Sequence, residues 1–198
     1  MSIPLRAALP GLLLLLSPAL TPAWGADAPA ATHYVLDPSK STLEFNFSQA
    51  GAQNKGKFKQ LAATFDFAPD NLAASRLDVT IEVGSLDTGD QERDDTLRSA
   101  DLFAVSKFKQ ARFSATQIAK TATGYEAIGK LTIRDVTREA RVPFALRTAA
   151  ENGASVVYMT GKTSVRRLDY GVGQGDWKAT DQVGNDVGVT FTLRYAPR

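Results

Sequence analysis

The chain has 198 residues, 43% of them hydrophobic, with 23 Lys and Arg, 21 Asp and Glu, and no cysteine. A formal net charge of +2 gives no electrostatic reason to expect nucleic acid as a partner. The absence of cysteine excludes disulfide bonds and cysteine nucleophiles, so burial and hydrogen bonding must hold the fold together.

The first predicted element is a secretory signal peptide over residues 1–25. Arg6 precedes an apolar run at residues 11–16, and small residues follow that run. A cation, a short apolar centre and a small-residue cleavage site are typical of a signal peptide. Prolines interrupt a run that is shorter than the ~20 residues a membrane span requires, which disfavours an anchor. We therefore expect cleavage near Gly25 and a single mature domain over residues 26–198.

Up to about residue 83, the mature chain alternates between apolar and polar residues. Three stretches place apolar side chains on one face of a strand: Leu43, Phe45 and Phe47; Ala63, Phe65 and Phe67; and Leu77, Val79, Ile81 and Val83. A period of two predicts strands with one buried and one solvent-facing side.

The segment SLDTGDQERDDTLRSADLF interrupts the strands and predicts one short helix over residues 90–100. Thr88 and Gln91 have the spacing of a capping box, and the acids near the start favour the helix dipole. The helix is too polar to be a core element. We expect it to cover one end of the sheet, in contact through Leu97 and Phe103.

The period of two returns after the helix. Four further stretches place apolar or small residues on one face: Ala111, Phe113 and Ala115; Gly129, Leu131 and Ile133; Ala140, Val142, Phe144 and Leu146; and Val187, Val189, Phe191, Leu193 and Tyr195. With SVVYMTGKTSV this gives about eight antiparallel strands. Such strands either close or stack as two sheets, and their short connections favour a barrel. Pro143 removes a ladder donor, so we expect it at a bulge or a rim.

Few residues could carry chemistry. His33 is the sole histidine and falls in the expected N-terminal tail, which leaves little material for a zinc site or a serine–histidine pair. The acidic run DTGDQERDD lacks the spacing of a calcium loop and is interpreted as solvated carboxylates at the helix start. Paired carboxylates for glycoside cleavage remain open, because acids are plentiful, but none lies conspicuously among apolar strand positions. We expect neither a metal nor a cofactor.

The stretch YGVGQGDW lacks the glycine spacing and the following helix of a nucleotide site. It predicts a loop that presents Tyr170 and Trp177, or a plain turn. The apolar inner face has two interpretations, a packed core or a partly hollow interior. We favour the hollow interior because bulky Phe residues alternate there with small residues, which can leave a channel unfilled.

Five stretches, in this order, resemble the YceI-like family of bacterial periplasmic polyisoprenoid-binding proteins. They are YVLDPSKSTLEFNFSQAGAQNKGKF, VGSLDTGDQERDDTLRSADLFAVSKF, ARFSATQI, GKLTIRDVTREARVPF, and RLDYGVGQGDW with VGNDVGVTFTL. The matched motif positions are Asp37, Ser41, Gly56, Phe58, Thr88, Arg93, Asp94, Leu97, Asp101, Phe103, Gly129, Leu131 and Thr132. The resemblance implies an all-β fold, an extended eight-stranded antiparallel lipocalin-like barrel with one helical insertion, in the periplasm. It also implies a long apolar pocket for an amphiphile.

Three positions depart from the family pattern. Lys40 and Thr96 stand where the family usually has His, and Lys109 stands where it has Pro. A polar headgroup would therefore meet Lys40, Arg93 or the loop around Trp177. A helix–strand salt bridge is the alternative role for Arg93.

On this resemblance we expect a binding or carrier protein and not an enzyme. The ligand would be an isoprenoid quinone, a polyprenyl phosphate or a fatty acid derivative, with the helix and the glycine loop gating access. The predicted ligand contacts are Phe45, Phe47, Phe58, Phe65, Val79, Ile81, Leu97, Phe103, Phe113, Leu131, Ile133, Phe144, Tyr170, Trp177 and Phe191, with Lys40 and Arg93 at a polar mouth. The expected partners are this lipid, a membrane in transient contact and a second copy of the chain. The alternatives are a periplasmic enzyme acting on a lipid and a structural module with a filled core.

Overall fold

A computed structural model describes residues 30–198. The predicted signal peptide and its cleavage site lie outside these residues. Within them the chain forms eleven strands and one α-helix, α1 (Gln91–Arg98). The strands are β1 Thr32–Leu36, β2 Thr42–Gln49, β3 Ala52–Phe58, β4 Leu61–Phe67, β5 Arg76–Glu82, β6 Leu86–Asp87, β7 Gln110–Thr121, β8 Gly124–Ile133, β9 Val136–Glu151, β10 Ala154–Arg166 and β11 Asp186–Pro197.

Eight of these strands close into an antiparallel barrel. The order around the ring is β1, β4, β5, β7, β8, β9, β10 and β11, and β11 pairs again with β1. Closure gives each of these strands a partner on both sides, which removes the exposed edge of an open sheet. The predicted eight-stranded barrel with one helical insertion is confirmed.

The remaining strands lengthen the barrel beyond β1. The chain makes a single 3-10 turn at Pro38–Lys40. Strand β2 then pairs with β11, the strand that also pairs with β1. Strand β11 pairs with β1 through residues 195–197 and with β2 through residues 188–192. Strand β3 pairs with β2, and β6 pairs with the end of β3. The result is a long cylinder with β1 and β4 towards one end and β2, β3 and β6 towards the other.

The end formed by β1 and β4 is filled by aromatic rings. Phe65 and Tyr195 are fully buried, and their ring centroids lie 5.7 Å apart. The Phe65 ring also lies 5.1 Å from Phe67 and 6.0 Å from Phe144, and Tyr125 meets Phe67 edge-on at 5.0 Å. These separations are those of favourable aromatic pairs. We call these five residues the aromatic cluster.

The helix begins and ends inside the predicted range, and its cap differs from the prediction. The carboxylate of Asp90 accepts a hydrogen bond from the Arg93 backbone N–H at 3.0 Å, which makes Asp90 the N-cap. Thr88 instead donates its backbone N–H and its hydroxyl to Asp94, at 2.9 and 2.7 Å. The predicted capping box was therefore wrong. Asp94 is buried rather than solvated because it satisfies these two donors.

The helix covers the end of the barrel opposite the aromatic cluster, as predicted. Leu97 and Phe103 pack against a group of buried side chains that includes Phe45, Phe47 and Leu86. These contacts place the helix over β2 and β6. Among residues 30–198, no helix is long and apolar enough to cross a membrane.

Two other predictions are corrected by the sheet register. Pro143 lies inside β9, opposite Glu126 of β8, and the register shift in β7 lies elsewhere. The ladder between β9 and β10 ends at the pair of Phe144 with Gly161, so Pro143 lies just beyond it and interrupts none of its bonds. His33 lies in β1 rather than in a tail, with its Nδ1 atom 2.6 Å from a carboxylate oxygen of Asp66.

We predict that Phe65→Ala lowers the free energy of unfolding by about 3–5 kcal/mol, because it removes the central ring of the aromatic cluster and leaves a cavity. Val35→Ala on the same end of the barrel removes a side chain that is 37% exposed and is the matched control. Urea unfolding of both variants measures the difference. Equal losses in the two variants would show that the aromatic cluster is not a principal source of stability.

Candidate functional site

The half of the barrel between the aromatic cluster and α1 is hollow. It contains a cavity of about 470 Å³ whose wall is made by inward-facing side chains of β2, β5 and β7 to β11 and by residues of α1. Pockets for small molecules commonly measure about 300–1,000 Å³ and have mostly apolar walls. We call this space the barrel cavity.

Small side chains explain the barrel cavity only in part. Ala111 lines it, but Ala63 and Ala115 are buried within the packed core. Gly129 leaves no open space, because an added Cβ would overlap the backbone of Ser114 and Ala115. Gly161 likewise lets the Phe191 ring lie against β10. The predicted alternation of bulky and small residues therefore reflects close strand approach at the glycines as well as unfilled volume.

Most of the predicted ligand contacts line the barrel cavity. These are Phe45, Phe47, Phe58, Val79, Ile81, Leu97, Phe103, Phe113, Leu131, Ile133, Phe144, Trp177 and Phe191. Phe65 does not, because the other rings of the aromatic cluster bury it completely. Tyr170 does not either, because its ring is buried against Leu102 and Val172. Contact between the lining residues and a ligand stays a prediction.

Several lining residues were not foreseen. Some of these are apolar residues on the inward faces of strands, so the period of two could have predicted them. They are Leu43, Leu61, Leu77, Val142, Val187, Val189 and Leu193. Polar ones are Gln49, Asp90, Glu92, Thr96, Thr163 and Arg167. Arg167 begins RLDYGVGQGDW, one of the stretches that resemble the family, but no role was predicted for it. Within residues 30–198, no group of three or more His, Cys, Asp or Glu side chains could hold a metal ion.

The helix supplies charged groups to the rim of the barrel cavity. Asp90, Glu92 and Arg93 line it there, and Asp90 and Glu92 are exposed. One Nη atom of Arg93 lies 3.6 Å from a carboxylate oxygen of Asp90. The ion pair of Arg93 is therefore local to the start of α1 and is not the helix–strand bridge considered as an alternative.

The structure places Lys40 away from the barrel cavity. Its ammonium lies 3.4 Å from Glu151, on the outer surface beside the junction of β1 and β2. Arg194 joins the same group, at 2.9 Å from both Glu151 and Asp37. This ion cluster ties the hairpin of β9 and β10 to the chain between β1 and β2. Lys40 therefore does not lie at the polar mouth of the barrel cavity where we expected it.

The ion cluster stabilises the charged form of Glu151. The Tyr158 hydroxyl donates a hydrogen bond to its carboxylate, and the Arg194 guanidinium donates others. These bonds, the Tyr158 bond foremost, lower the pKa of Glu151 from an ordinary value of 4.5 to about 2. Hydrogen bonds to a carboxylate favour ionisation, and here they outweigh the opposing effect of desolvation.

The fold and the barrel cavity define a class of protein, the closed eight-stranded barrel with room for one small ligand. A family model described as YceI-like domain matches residues 34–195. The chain therefore belongs to the YceI-like family, which confirms the resemblance seen in the sequence.

Relatives and solved structures agree with this assignment. The chain is 35% identical over 116 residues to the UPF0312 protein YE1254 of Yersinia enterocolitica, a match that spans 57% of this chain and 60% of that protein. A second relative, the UPF0312 protein Ent638_1570 of Enterobacter sp. strain 638, is 42% identical over 83 residues, covering 42% of this chain and 43% of the relative. The matches thus span about 60% or less of these relatives.

Among solved structures, the crystal structure of BcnA of Burkholderia cenocepacia superposes with a TM-score of 0.74 and 31% identity over 80% of this chain and 98% of BcnA. A polyisoprenoid binding domain from Saccharophagus degradans superposes with a TM-score of 0.60 and 18% identity, over 83% of this chain and 98% of that one. The second likeness is one of fold alone.

We predict that stability falls as the pH drops from about 4.5 towards 2. A carboxylate with a lowered pKa contributes stability above its unfolded pKa, and that contribution is lost as the pH falls through its folded pKa. Glu151→Gln should lower Tm at pH 7. The difference in Tm between this variant and the natural chain should be smaller at pH 2 than at pH 7. Glu139→Gln removes an exposed carboxylate of β9 and is the control. Parallel pH profiles for the natural chain and Glu151→Gln would contradict the assignment.

Proposed function

We propose that this protein binds an isoprenoid-type or other long-chain amphiphile in the barrel cavity and acts as a periplasmic carrier. The observation that carries the proposal is a cavity of about 470 Å³ with an almost entirely hydrocarbon wall. Water gains few hydrogen bonds in such a space, whereas an acyl or prenyl chain fills it with favourable contacts. Membership of the YceI-like family and the shared fold of a polyisoprenoid binding domain support the proposal.

The energetics suit a carrier. Burial of a hydrocarbon chain is worth about 0.8 kcal/mol per CH₂ relative to water. The alternative location of a lipid tail is a membrane, where it is equally dry, so most of this gain cancels on exchange. The barrel can then load and release a lipid with little net change in free energy. Transient contact with a membrane surface is part of this proposal.

Access to the barrel cavity would pass the end that α1 covers. Leu97 and Phe103 of this region line the cavity, and so does Trp177 in the 3-10 turn Gly175–Lys178. The aromatic cluster fills the opposite end. We therefore assign the gate to α1 and the Trp177 turn rather than to Tyr170, which is buried.

A binding role is favoured over catalysis by the position of the acids. The carboxylates that line the barrel cavity, Asp90 and Glu92, lie at its exposed rim. Acid–base catalysis on a lipid tail or ester in the interior would need a polar pair among the buried apolar side chains, where burial would shift its pKa. The predicted signal peptide supports the periplasmic location, and fractionation of cells that express the full chain tests it.

Native mass spectrometry of protein purified from cells under mild conditions tests the binding proposal. We expect a bound species whose extracted mass is that of a long-chain amphiphile. Loading with oleic acid or farnesol after delipidation should restore a bound species in protein that lost it. Protein that emerges empty from several expression hosts and also fails to load either lipid would overturn the proposal.

We predict that Val189→Trp reduces lipid binding at least about tenfold, because the indole would occupy volume in the barrel cavity that the tail needs. Thr190→Trp places the same side chain on the adjacent, exposed position of β11 and should bind as the natural chain does. Displacement of a fluorescent fatty acid measures both variants, and Tm reports on their folding. Unchanged affinity in a folded Val189→Trp protein would place the ligand elsewhere.

A further inference from the structure

A buried arginine completes the wall of the barrel cavity. The inward-facing positions of β10 include Met159, Gly161, Thr163 and Val165, and the same register continues to Arg167 directly after the strand. Thr163, Val165 and Arg167 all line the cavity. Arg167 is 5% exposed. A cationic side chain, shielded from water, therefore contributes to a wall that is otherwise mostly apolar.

Neutral groups supply all the hydrogen-bond partners of Arg167. Its Nε donates to the carbonyl of Gly184 at 2.9 Å, one Nη donates to Val172 at 2.9 Å, and the other Nη donates to Val183 at 2.6 Å. A guanidinium has five N–H donors, so one donor on each Nη remains. Within residues 30–198, no carboxylate lies within 4.0 Å of this side chain.

The surrounding loop is shaped to hold the guanidinium in this place. Gly173 has a φ of +121°, and a Cβ at this position would overlap the Nη1 atom of Arg167 and approach the Trp177 carbonyl. Only glycine satisfies both the backbone conformation and the close approach. The chain therefore accommodates a buried cation here rather than turning it out to solvent.

A buried charge is costly unless an opposite charge accompanies it. The other charged lining groups do not compensate Arg167, because Asp90 is paired with Arg93 and Glu92 is exposed at the rim. Desolvation lowers the pKa of Arg167, in accord with its burial, and an arginine nevertheless keeps its proton. The wall thus holds one uncompensated positive charge beside the space for a ligand.

We propose that Arg167 binds the anionic headgroup, a carboxylate or a phosphate, of the amphiphile in the barrel cavity. The two remaining N–H donors suit two oxygens of one such group. The tail would then run along the apolar wall towards Phe144 and Phe191. This inference rests on the proposed function and narrows it, because it selects anionic amphiphiles over neutral ones such as quinones.

Matched ligand pairs test the inference on the natural chain. Oleic acid and oleyl alcohol share a tail, as do farnesyl phosphate and farnesol, and titrations at pH 8 below the micellar range measure all four. We expect the anion of at least one pair to bind at least about tenfold more tightly than its alcohol, as charge-assisted hydrogen bonds require. The pair with the larger ratio identifies the headgroup. Binding of none of the four would overturn the proposed function, whereas equal binding within each pair would overturn only the role of Arg167.

Two substitutions assign the preference to Arg167. Arg167→Gln should bind the anion and the alcohol of the preferred pair equally, and Arg167→Lys should retain part of the preference. Arg134→Gln is the matched control, because Arg134 also donates to backbone carbonyls, those of Leu102 and Gly171, but does not line the cavity. It should keep the full preference.

Tm of each variant shows whether it folds. A folded Arg167→Gln protein that keeps the preference would contradict the inference, and so would equal loss of the preference in Arg134→Gln. If Arg167→Gln does not fold, the Arg167→Lys protein and the natural chain test the assignment with the same ligand pairs. A preference for the anion that lysine leaves unchanged would overturn the assignment. So would the absence of that preference in the natural chain.

Discussion

The hydrogen-bonded closure through β11 is the constraint on which the rest of this structure depends. One strand pairs with β10 along its length, with β1 at one end and with β2 at the other. Because every strand of the ring has partners on both sides, the wall does not need a fully packed interior to satisfy its backbone. The aromatic cluster around Phe65 can therefore supply most of the packing in one half, while the other half stays open. A stacked pair of sheets would lose its core if it were hollowed out in the same way.

The two ends of the cylinder consequently differ in character. At the filled end, large rings meet at favourable separations, and the ion cluster of Arg194, Asp37 and Glu151 ties the chain together outside. At the open end, α1 contributes Leu97 to the apolar contacts and is otherwise held by polar bonds, among them those of the Arg98 guanidinium to the carbonyls of Gly84 and Leu86. Elements that contribute little burial are those that can move at low cost in free energy. A densely packed end and a cover with little buried apolar area suit the proposed loading and release of a ligand without unfolding.

Arg194 and Arg167 differ in their surroundings, and the difference distinguishes an arginine that stabilises the fold from one proposed to bind a ligand. Arg194 faces two carboxylates, and its charge is fully accounted for within the chain. Arg167 is buried among carbonyl oxygens and faces the barrel cavity without a counter-charge in the described part of the chain. An apolar wall with a single uncompensated cation is complementary to a hydrocarbon tail that ends in an anion. The hollow wall and the buried charge thus point to the same kind of molecule.

The sequence by itself determined eight of the eleven described strands, the face of each that turns inward, the position of one short helix and the family, but it missed β1, β3 and β6. The eight strands and the helix could be predicted because a period of two and a run of polar helix formers are local properties of the chain. Only the tertiary structure decided how deep each inward residue lies: Phe65 and Phe113 have the same alternation, yet one fills the aromatic cluster and the other lines the barrel cavity. It also moved Lys40 to the outer surface and brought Arg167 into the wall. The period of two determines which face of a strand a side chain occupies. The position of that side chain along the barrel axis depends on strand stagger and on pairings between residues far apart in the chain.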